Sequence, residues 1–151
     1  MSDLLLNNFK IGNQESMTLM GGVNVLESDS VVMKVAEKFA ETTARHKINW
    51  IFKGSYDKAN RSSIASYRGP GLEEGLRMLE KVKSEFDVPI VTDIHEPSQA
   101  EPVSNVSDVI QIPAFLCRQT DLVTAAANTQ RIIQFKKPQF LSAIEMKNVI
   151  E

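Results

Sequence analysis

A polar stretch between positions 52 and 71 carries four cationic side chains among hydroxyl, amide and glycine residues. These cations are Lys53, Lys58, Arg61 and Arg68. The stretch directly follows a short apolar run at residues 48–52, so it is predicted to lie where a strand opens into a loop. Phosphate oxygens accept charge-assisted hydrogen bonds from several donors at once. The pattern therefore predicts a site that handles a phosphorylated substrate.

Polar side chains also end the other predicted strands. The carboxyl ends of the successive strands carry Asn24, Lys53, Asp93 with His95, Gln111, and Lys136. In parallel α/β folds, ligands bind at the carboxyl ends of the strands. Asp93 and His95 are two residues apart, so both side chains point to the same face if the strand runs that far. This shared position favours a functional interpretation of the set.

Each candidate taken alone also has an ordinary structural interpretation. A single loop cation such as Lys58 or Arg68 is more often solvated than bound to a substrate, and Lys136 is also compatible with plain surface charge. His95 is as readily a structural histidine as a catalytic one. Gln111 is compatible with a buried amide bonded to backbone. These alternatives stay open for the single residues.

Composition limits the class of protein. A chain of 151 residues favours one domain with enough residues to build a core. A formal net charge of -2 argues against a nucleic-acid binder. Cys117, the only cysteine, indicates a reducing compartment and is best explained as a small packing residue. The N-terminus lacks the basic region of a secretory signal, and no apolar run approaches ~20 residues, so we expect a cytoplasmic protein.

Strand and helix patterns alternate five times along the chain. A small hairpin precedes them in residues 3–20, where short apolar pieces alternate with Asn-Asn and Gly-Asn turn signals. Strands are predicted at residues 17–25, 48–52, 88–93, 108–113 and 131–136. Helices are predicted at about residues 31–45, 71–86, 96–103 and 120–128, and from Ser142, where Ser142 and Glu145 form a capping box. Residues 27–30 supply N-cap candidates for the first helix. The apolar stripe of the first helix contains Val31, Val35 and Phe39, with Val32, Ala36 and Ala40 beside them, and that of the second contains Leu72, Leu76, Leu79, Val82 and Phe86. This alternation is typical of right-handed βαβ units around a parallel sheet.

Six segments, in order and in register, carry a family resemblance. They are residues 21–28 (GGVNVLES), 52–63 (FKGSYDKANRSS), 67–72 (YRGPGL), 92–96 (TDIHE), 111–121 (QIPAFLCRQTD) and 136–140 (KKPQF). Through them, residues 18–150 closely resemble the metal-independent branch of the 3-deoxy-D-manno-octulosonate 8-phosphate synthase family, also called 2-dehydro-3-deoxyphosphooctonate aldolase. Six motifs with the family's spacing are far more specific than one glycine-rich loop.

The resemblance implies an α/β fold of the (β/α)8 TIM barrel family. Residues 1–151 would form a single domain, with an N-terminal β-hairpin and about five of the eight βα units. The family is roughly twice as long, so the C-terminal portion of the barrel is absent from this sequence. An incomplete barrel leaves unpaired strand edges and an exposed apolar interior. We therefore expect the 151-residue chain alone to be unstable or prone to aggregation.

The resemblance also implies an activity. The family consists of transferases that condense phosphoenolpyruvate with D-arabinose 5-phosphate, releasing phosphate and forming 3-deoxy-D-manno-octulosonate 8-phosphate for the inner core of lipopolysaccharide. They are usually homotetramers and, in this branch, need no cofactor. No nucleic-acid or membrane partner is implied. One alternative is a sister synthase that joins phosphoenolpyruvate to another sugar. Another is a catalytically inactive half-barrel that acts as a binding or scaffold protein.

Site residues follow from the matching motifs. The implied ligands of phosphoenolpyruvate are Lys53, Lys58, Gln111 and Lys136, with the backbone of Ala114 and Phe115 and the side chain of Arg118 beside them. The implied clamp for the sugar phosphate consists of Asn60, Arg61 and Ser62, and Ser55 joins the substrate-binding set. The expected catalytic residues are Asn24, Lys53, Lys58, Asp93, His95 and Lys136. Among these, Asp93 and His95 are candidates for handling the aldehyde and the attacking water.

One position separates the two branches of the family. Metal-dependent relatives have a cysteine where this chain has Asn24, and a thiolate is a strong metal ligand. We therefore expect no metal at this site. Two positions depart from the family pattern: Gly54 stands in place of an expected alanine, and Gln134 in place of an expected asparagine.

Overall fold

The computed structural model describes residues 3–7 and 9–150. The chain divides into two compact units, Met1–Val91 and Thr92–Glu151. Helices alternate with strands in both units, and the three strand pairs described below, apart from the N-terminal hairpin, are all parallel. The predicted α/β class with about five βα units is therefore confirmed. The described residues contain no helix with the length and apolar character needed to cross a bilayer.

The first unit begins with the predicted hairpin. Strand β1 (Leu4–Leu6) pairs antiparallel with β2 (Phe9–Ile11), and Leu4 lies opposite Ile11. Asn7 has a positive φ of 49°, a conformation that asparagine tolerates better than most residues. The third apolar piece of the predicted region, Met17–Met20, does not join the hairpin, because its residues from Thr18 onward belong to the next strand.

The main elements of the first unit follow in order. They are β3 (Thr18–Gly22), α1 (Asp29–His46), β4 (Asn49–Lys53), α2 (Leu72–Phe86) and β5 (Ile90–Asp93), the last two residues of β5 belonging to the second unit. Gly22 lies opposite Lys53 in the β3–β4 pair, and Lys53 lies opposite Val91 in the β4–β5 pair. Lys53 therefore ends the central strand of this sheet, with a neighbouring strand on each side.

Helix α1 begins at the predicted cap. The Ser28 hydroxyl accepts a hydrogen bond from the Val31 backbone N–H at 3.4 Å, a typical N-cap contact. The buried face of the helix contains Val32, Ala36 and Thr43, whereas Val31 is 43% exposed. The buried face is therefore centred on Val32 and Ala36, which the prediction placed beside Val31, Val35 and Phe39.

Helix α2 buries part of the predicted face, namely Leu79 and Val82, together with two residues outside it. Its buried residues are Gly75, Met78, Leu79 and Val82, while the outer members of the predicted stripe, Leu72, Leu76 and Phe86, are only half-buried. A Cβ atom at Gly75 would lie 2.2 Å from the Cβ of Tyr56. The absence of a side chain at Gly75 lets the helix pack directly on Tyr56, which turns this face inward.

The second unit contains the remaining elements. They are a 3-10 turn (Pro97–Gln99), α3 (Ala100–Ser104), β6 (Val109–Ile112), a second 3-10 turn (Ala114–Leu116), α4 (Thr120–Asn128), β7 (Ile132–Phe135) and α5 (Lys147–Ile150). Strands β6 and β7 are parallel, with Gln111 opposite Gln134. The capping box between Ser142 and Glu145 forms in both directions, at 2.7 and 3.2 Å. It caps a turn, because regular α-helix begins only at Lys147.

Candidate functional site

Two lysines converge on one buried hydroxyl at the end of β4. The Ser55 side chain is fully buried, and its Oγ accepts hydrogen bonds from Lys53 Nζ at 3.3 Å and Lys58 Nζ at 2.9 Å. Both ammonium groups are therefore held beside the same oxygen atom. Two cations at one point attract an anion with more than one negative charge, such as a phosphate group.

The backbone around this pair is held on both sides. The Lys53 carbonyl accepts from the Val23 N–H at 2.9 Å, and the Gly54 N–H donates to the Val91 carbonyl at 3.3 Å. The Ser55 carbonyl accepts from the Leu26 N–H at 3.0 Å. The position of the two lysines therefore depends on Val23 and Leu26, which follow β3, and on Val91 in β5. All three residues lie far from the lysines in the sequence.

The predicted sugar-phosphate clamp lies in the loop that follows. Arg61 donates from one guanidinium nitrogen to the Lys58 carbonyl at 3.1 Å and from the other to the Ile64 carbonyl at 3.4 Å. Its Nε is buried and has no hydrogen-bond partner among the described residues. Asn60 and Ser62 on either side are exposed. The structure thus brings Arg61 to the backbone of Lys58 and leaves its two neighbours open to solvent.

Arg68, the fourth cation of the polar stretch, pairs with an acidic residue. Its Nε and one terminal nitrogen donate to the two carboxylate oxygens of Asp57, at 2.7 and 3.0 Å. The Lys58 backbone N–H also donates to the Arg68 carbonyl, at 2.6 Å. Sequence reasoning assigned no role to Asp57, because its partner lies eleven residues away and no local pattern links the two.

Asn24 follows the end of β3 and is exposed. Within the described ranges, no three His, Cys, Asp or Glu side chains are grouped in a way that could hold a metal ion. The expectation of metal-independent chemistry depends on the asparagine at this position, and it stays a prediction.

The second unit places Asp93 and His95 in contact. Asp93 Oδ2 and His95 Nε2 lie 3.2 Å apart, and each side chain is only 10% exposed. The prediction that both point to one face required the strand to reach His95, but β5 ends at Asp93, so the two side chains meet through the turn that follows the strand. Gln99 Oε1 accepts from the backbone N–H of His95 at 2.7 Å and of Glu96 at 3.3 Å. Sequence reasoning missed this role of Gln99. Its spacing of three residues from Glu96, the pattern of a capping box, was the available signal.

Gln111 and Lys136 lie at the ends of neighbouring strands. Gln111 is buried in β6, and its carbonyl accepts from the Ile94 N–H at 3.2 Å. Lys136 directly follows β7 and is exposed, and its N–H donates to the Ile112 carbonyl at 3.1 Å. In this unit the strand ends therefore bring the Asp93–His95 pair, Gln111 and Lys136 to one edge of the sheet.

The remaining predicted residues lie after β6. Ala114 and Phe115 form a 3-10 turn, and the Phe115 ring stacks on Phe140 at 6.4 Å between centroids. Arg118 is exposed and lines a cleft of about 480 Å³ together with Glu145. Hydrogen bonds from Ser142, aided by the nearby charge of Arg118, hold the pKa of Glu145 below its usual value. Cys117 is buried, as expected of a packing residue.

Comparison with known proteins supports the resemblance seen in the motifs. Residues 4–151 match the DAHP synthetase I family. A 2-dehydro-3-deoxyphosphooctonate aldolase of Colwellia psychrerythraea is 59% identical over 140 residues, which cover 93% of this chain and 50% of that protein. A protein of the same name from Chromobacterium violaceum is 56% identical, over 93% of this chain and 50% of that protein. Another from Psychromonas ingrahamii is 57% identical, over 96% of this chain and 52% of that protein.

The chain thus spans about half the length of the curated relatives it matches. The predicted resemblance is confirmed, including the expectation that these residues correspond to an N-terminal half. The roles of individual site residues are not tested by the comparisons and stay predictions.

Proposed function

Because the chain belongs to the DAHP synthetase I family, we propose that it is the N-terminal half of a synthase that condenses phosphoenolpyruvate with D-arabinose 5-phosphate. The product would be 3-deoxy-D-manno-octulosonate 8-phosphate, a precursor of lipopolysaccharide. The observation that carries the proposal is the pair of ammonium groups, from Lys53 and Lys58, held on the Ser55 hydroxyl at the end of β4.

The proposed reaction needs this concentration of charge. Carbon 3 of phosphoenolpyruvate bonds to the aldehyde carbon of the sugar phosphate, and a water oxygen adds at carbon 2. The tetrahedral intermediate then loses inorganic phosphate as its carbon–oxygen bond breaks. Lys53 and Lys58 stabilise negative charge on the enol phosphate, and a positioned cation lowers the barrier when charge develops on a leaving group.

The matching motifs assign further polar groups to the proposal. Lys136 and Gln111 contribute a cation and an amide for phosphoenolpyruvate, with the backbone of Ala114 and Phe115 and the Arg118 side chain beside them. The Asp93–His95 pair, joined at 3.2 Å, handles protons at the aldehyde or at the attacking water. A histidine next to a carboxylate is suited to both proton donation and acceptance near neutral pH.

The two substrates are served by different residues in this proposal. Arg61, with Asn60 and Ser62, holds the phosphate of the sugar, whereas Lys136 holds phosphoenolpyruvate. We propose further that the protein acts in the cytoplasm as a homotetramer. It needs no cofactor or metal, because Asn24 stands where metal-dependent relatives carry a thiolate ligand.

The division of labour can be tested kinetically. The chain is assayed alone and joined to the C-terminal half of the Colwellia psychrerythraea relative, with Lys136→Ala and Arg61→Ala introduced separately. Lys136→Ala is expected to raise KM for phosphoenolpyruvate, and Arg61→Ala to raise KM for arabinose 5-phosphate. Lys38→Ala is the matched control, because this lysine is 78% exposed and pairs with Glu41 on α1. Equal effects of both site variants on both substrates would contradict the assignment.

Substrate choice separates this proposal from its alternatives. In a competition between aldose phosphates, arabinose 5-phosphate is expected to be consumed first. Preference for another sugar would indicate the sister synthase. Failure of the joined protein to use or bind either substrate would favour the inactive half-barrel.

A further inference from the structure

The loop at residues 57–68 is closed at its base by a pair of contacts. The Arg68 guanidinium donates to both carboxylate oxygens of Asp57, and the Lys58 N–H donates to the Arg68 carbonyl at 2.6 Å. The Asp57 side chain is only 15% exposed, whereas that of Arg68 is 60% exposed. We call these two contacts, between Asp57, Lys58 and Arg68, the clasp. A two-point Arg–carboxylate pair fixes orientation as well as distance.

The chain on either side of the clasp is also held together. The Gly71 N–H donates to the Tyr56 carbonyl at 3.1 Å. Gly69 has a positive φ of 123°, and a Cβ at this position would lie 2.2 Å from the Tyr56 carbonyl oxygen. The segment that leaves the loop therefore runs directly against the segment that enters it. Compact loops with adjacent ends of this kind are frequently functional.

The clasp adjoins both groups of predicted ligands, those for phosphoenolpyruvate and those for the sugar phosphate. Its backbone donor, Lys58, is the residue whose ammonium group contacts Ser55, and the carbonyl of Lys58 receives the Arg61 guanidinium at 3.1 Å. Movement at the base of the loop would therefore displace the lysine and the arginine together.

We propose that Arg68 is a positioning residue. Together with Asp57 it keeps the loop closed. It thereby holds Lys58, assigned to phosphoenolpyruvate, and the Asn60–Ser62 segment, assigned to the sugar phosphate, in a fixed arrangement. This inference rests on the proposed function and deepens it, because it assigns one of the four cations of the motif to loop closure and the others to the ligands. Ordering a loop during binding costs conformational entropy, and a loop that is already closed avoids much of that cost.

Hydrogen exchange tests loop closure independently of any activity. Exchange of the Lys58 N–H is measured in the protein joined to the C-terminal half of the Colwellia psychrerythraea relative, for wild type, Asp57→Asn, Arg68→Gln, and the double variant Asp57→Arg with Arg68→Asp. In each single variant the Lys58 N–H is expected to exchange about fivefold faster, which corresponds to the upper end of the stabilisation measured for partly exposed ion pairs. The swapped pair is expected to recover part of the protection. Arg77→Gln is the matched control, since Arg77 is half-exposed and pairs with Asp29 at 2.7 Å on other elements of the same unit.

Ligand binding tests the consequence of closure. The affinity for D-arabinose 5-phosphate, measured by calorimetry, is expected to fall in the single variants in proportion to the loss of protection and to recover in the swapped pair. Unchanged protection in both single variants would overturn the proposal. So would a loss of affinity with protection intact, because Arg68 would then contact the ligand itself. If wild type binds no arabinose 5-phosphate while protection follows the clasp, the substrate assignment fails and the loop closure stands.

Discussion

Gly22 is the residue at which the smallest change should most disturb the site. It lies opposite Lys53 at the carboxyl end of the β3–β4 pair. A Cβ at Gly22 would lie 2.2 Å from the Lys53 carbonyl oxygen and 3.0 Å from the Lys53 nitrogen. Both atoms belong to backbone, so no side-chain rotation can relieve the clash in Gly22→Ala, and the two strands must separate locally.

The expected cost follows from these contacts. Separation lengthens the hydrogen bond from the Val23 N–H to the Lys53 carbonyl, now 2.9 Å, whose loss costs about 1 kcal/mol. Overpacking in a closely packed interior costs about 1–3 kcal/mol more. We therefore expect Gly22→Ala to lower the free energy of unfolding by about 2–4 kcal/mol, and to weaken phosphoenolpyruvate binding because Lys53 moves with its backbone.

Gly54→Ala is the matched control. Its Cβ would meet the Leu26 Cδ2 at 2.9 Å and methyl groups of Leu79 and Val23 at 3.4 Å. These are side-chain ends that can shift by a few tenths of an ångström, so the change should cost less than about 1 kcal/mol. The comparison also tests the departure at Gly54, where the family pattern has alanine.

Urea denaturation followed by tryptophan fluorescence measures both variants. Trp50 is the only tryptophan and lies on β4, with its indole N–H bonded to the Gly21 carbonyl at 3.0 Å. Its emission therefore reports on the strand pair that Gly22→Ala disturbs. A Gly22→Ala protein with an unfolding free energy within about 0.5 kcal/mol of wild type would refute the reasoning.

Three further predictions concern the core, pH and metals. Leu79→Ala removes a fully buried side chain from α2 and should lower the free energy of unfolding by about 2–5 kcal/mol in the same urea titration. Ile64→Ala is the control, because Ile64 is 92% exposed, and it should change the free energy of unfolding by less than about 0.5 kcal/mol. Hydrogen bonds from Arg77 hold the pKa of Asp29 and of Glu74 below their ordinary values of 3.8 and 4.5. A carboxylate whose pKa is lowered by folding stabilises the protein at pH values above its ordinary pKa, and this stabilisation is lost as the pH falls through the lowered pKa. Wild type should therefore lose more stability than Arg77→Gln below about pH 4.5. Urea midpoints that fall in parallel for the two proteins would contradict this. Treatment with EDTA should leave the activity of the joined protein unchanged because of Asn24; loss on chelation that returns with added divalent metal would show that a metal is required.

Most of the fold was predictable, because the local signals agree with the tertiary structure. Strand and helix types, the hairpin turn at Asn7 and the Ser28 cap follow from patterns within a few residues. The faces of α1 and α2 were predicted less well. Leu72 and Phe86 carry the right spacing but are only half-buried, whereas Gly75 is buried alongside Leu79 and Val82. A glycine gives no hydrophobic signal, and its burial depends on Tyr56, a residue nineteen positions away that packs over it.

Part of the candidate site was also predictable from the sequence, and part was not. Its residue types and their places at strand ends could be predicted from sequence. The contact between Asp93 and His95 does not follow from the two-residue period of a strand, because β5 ends at Asp93. The role of Arg68 could not be predicted either. The sequence offers four cations in one stretch with nothing to distinguish Arg68 from the others. Its link to Asp57 exists because the end of the loop returns to its beginning, where Gly69 lies against Tyr56.

By itself, the sequence determined the family, the alternation of strand and helix, and the set of polar residues at the strand ends. These depend on residue type and short-range spacing, which are present in the unfolded chain as well. Only the tertiary structure decided which protein groups each cation contacts. That choice depends on distances between residues far apart in sequence: two lysines converge on Ser55, while the fourth cation of the same stretch, Arg68, closes the loop on Asp57.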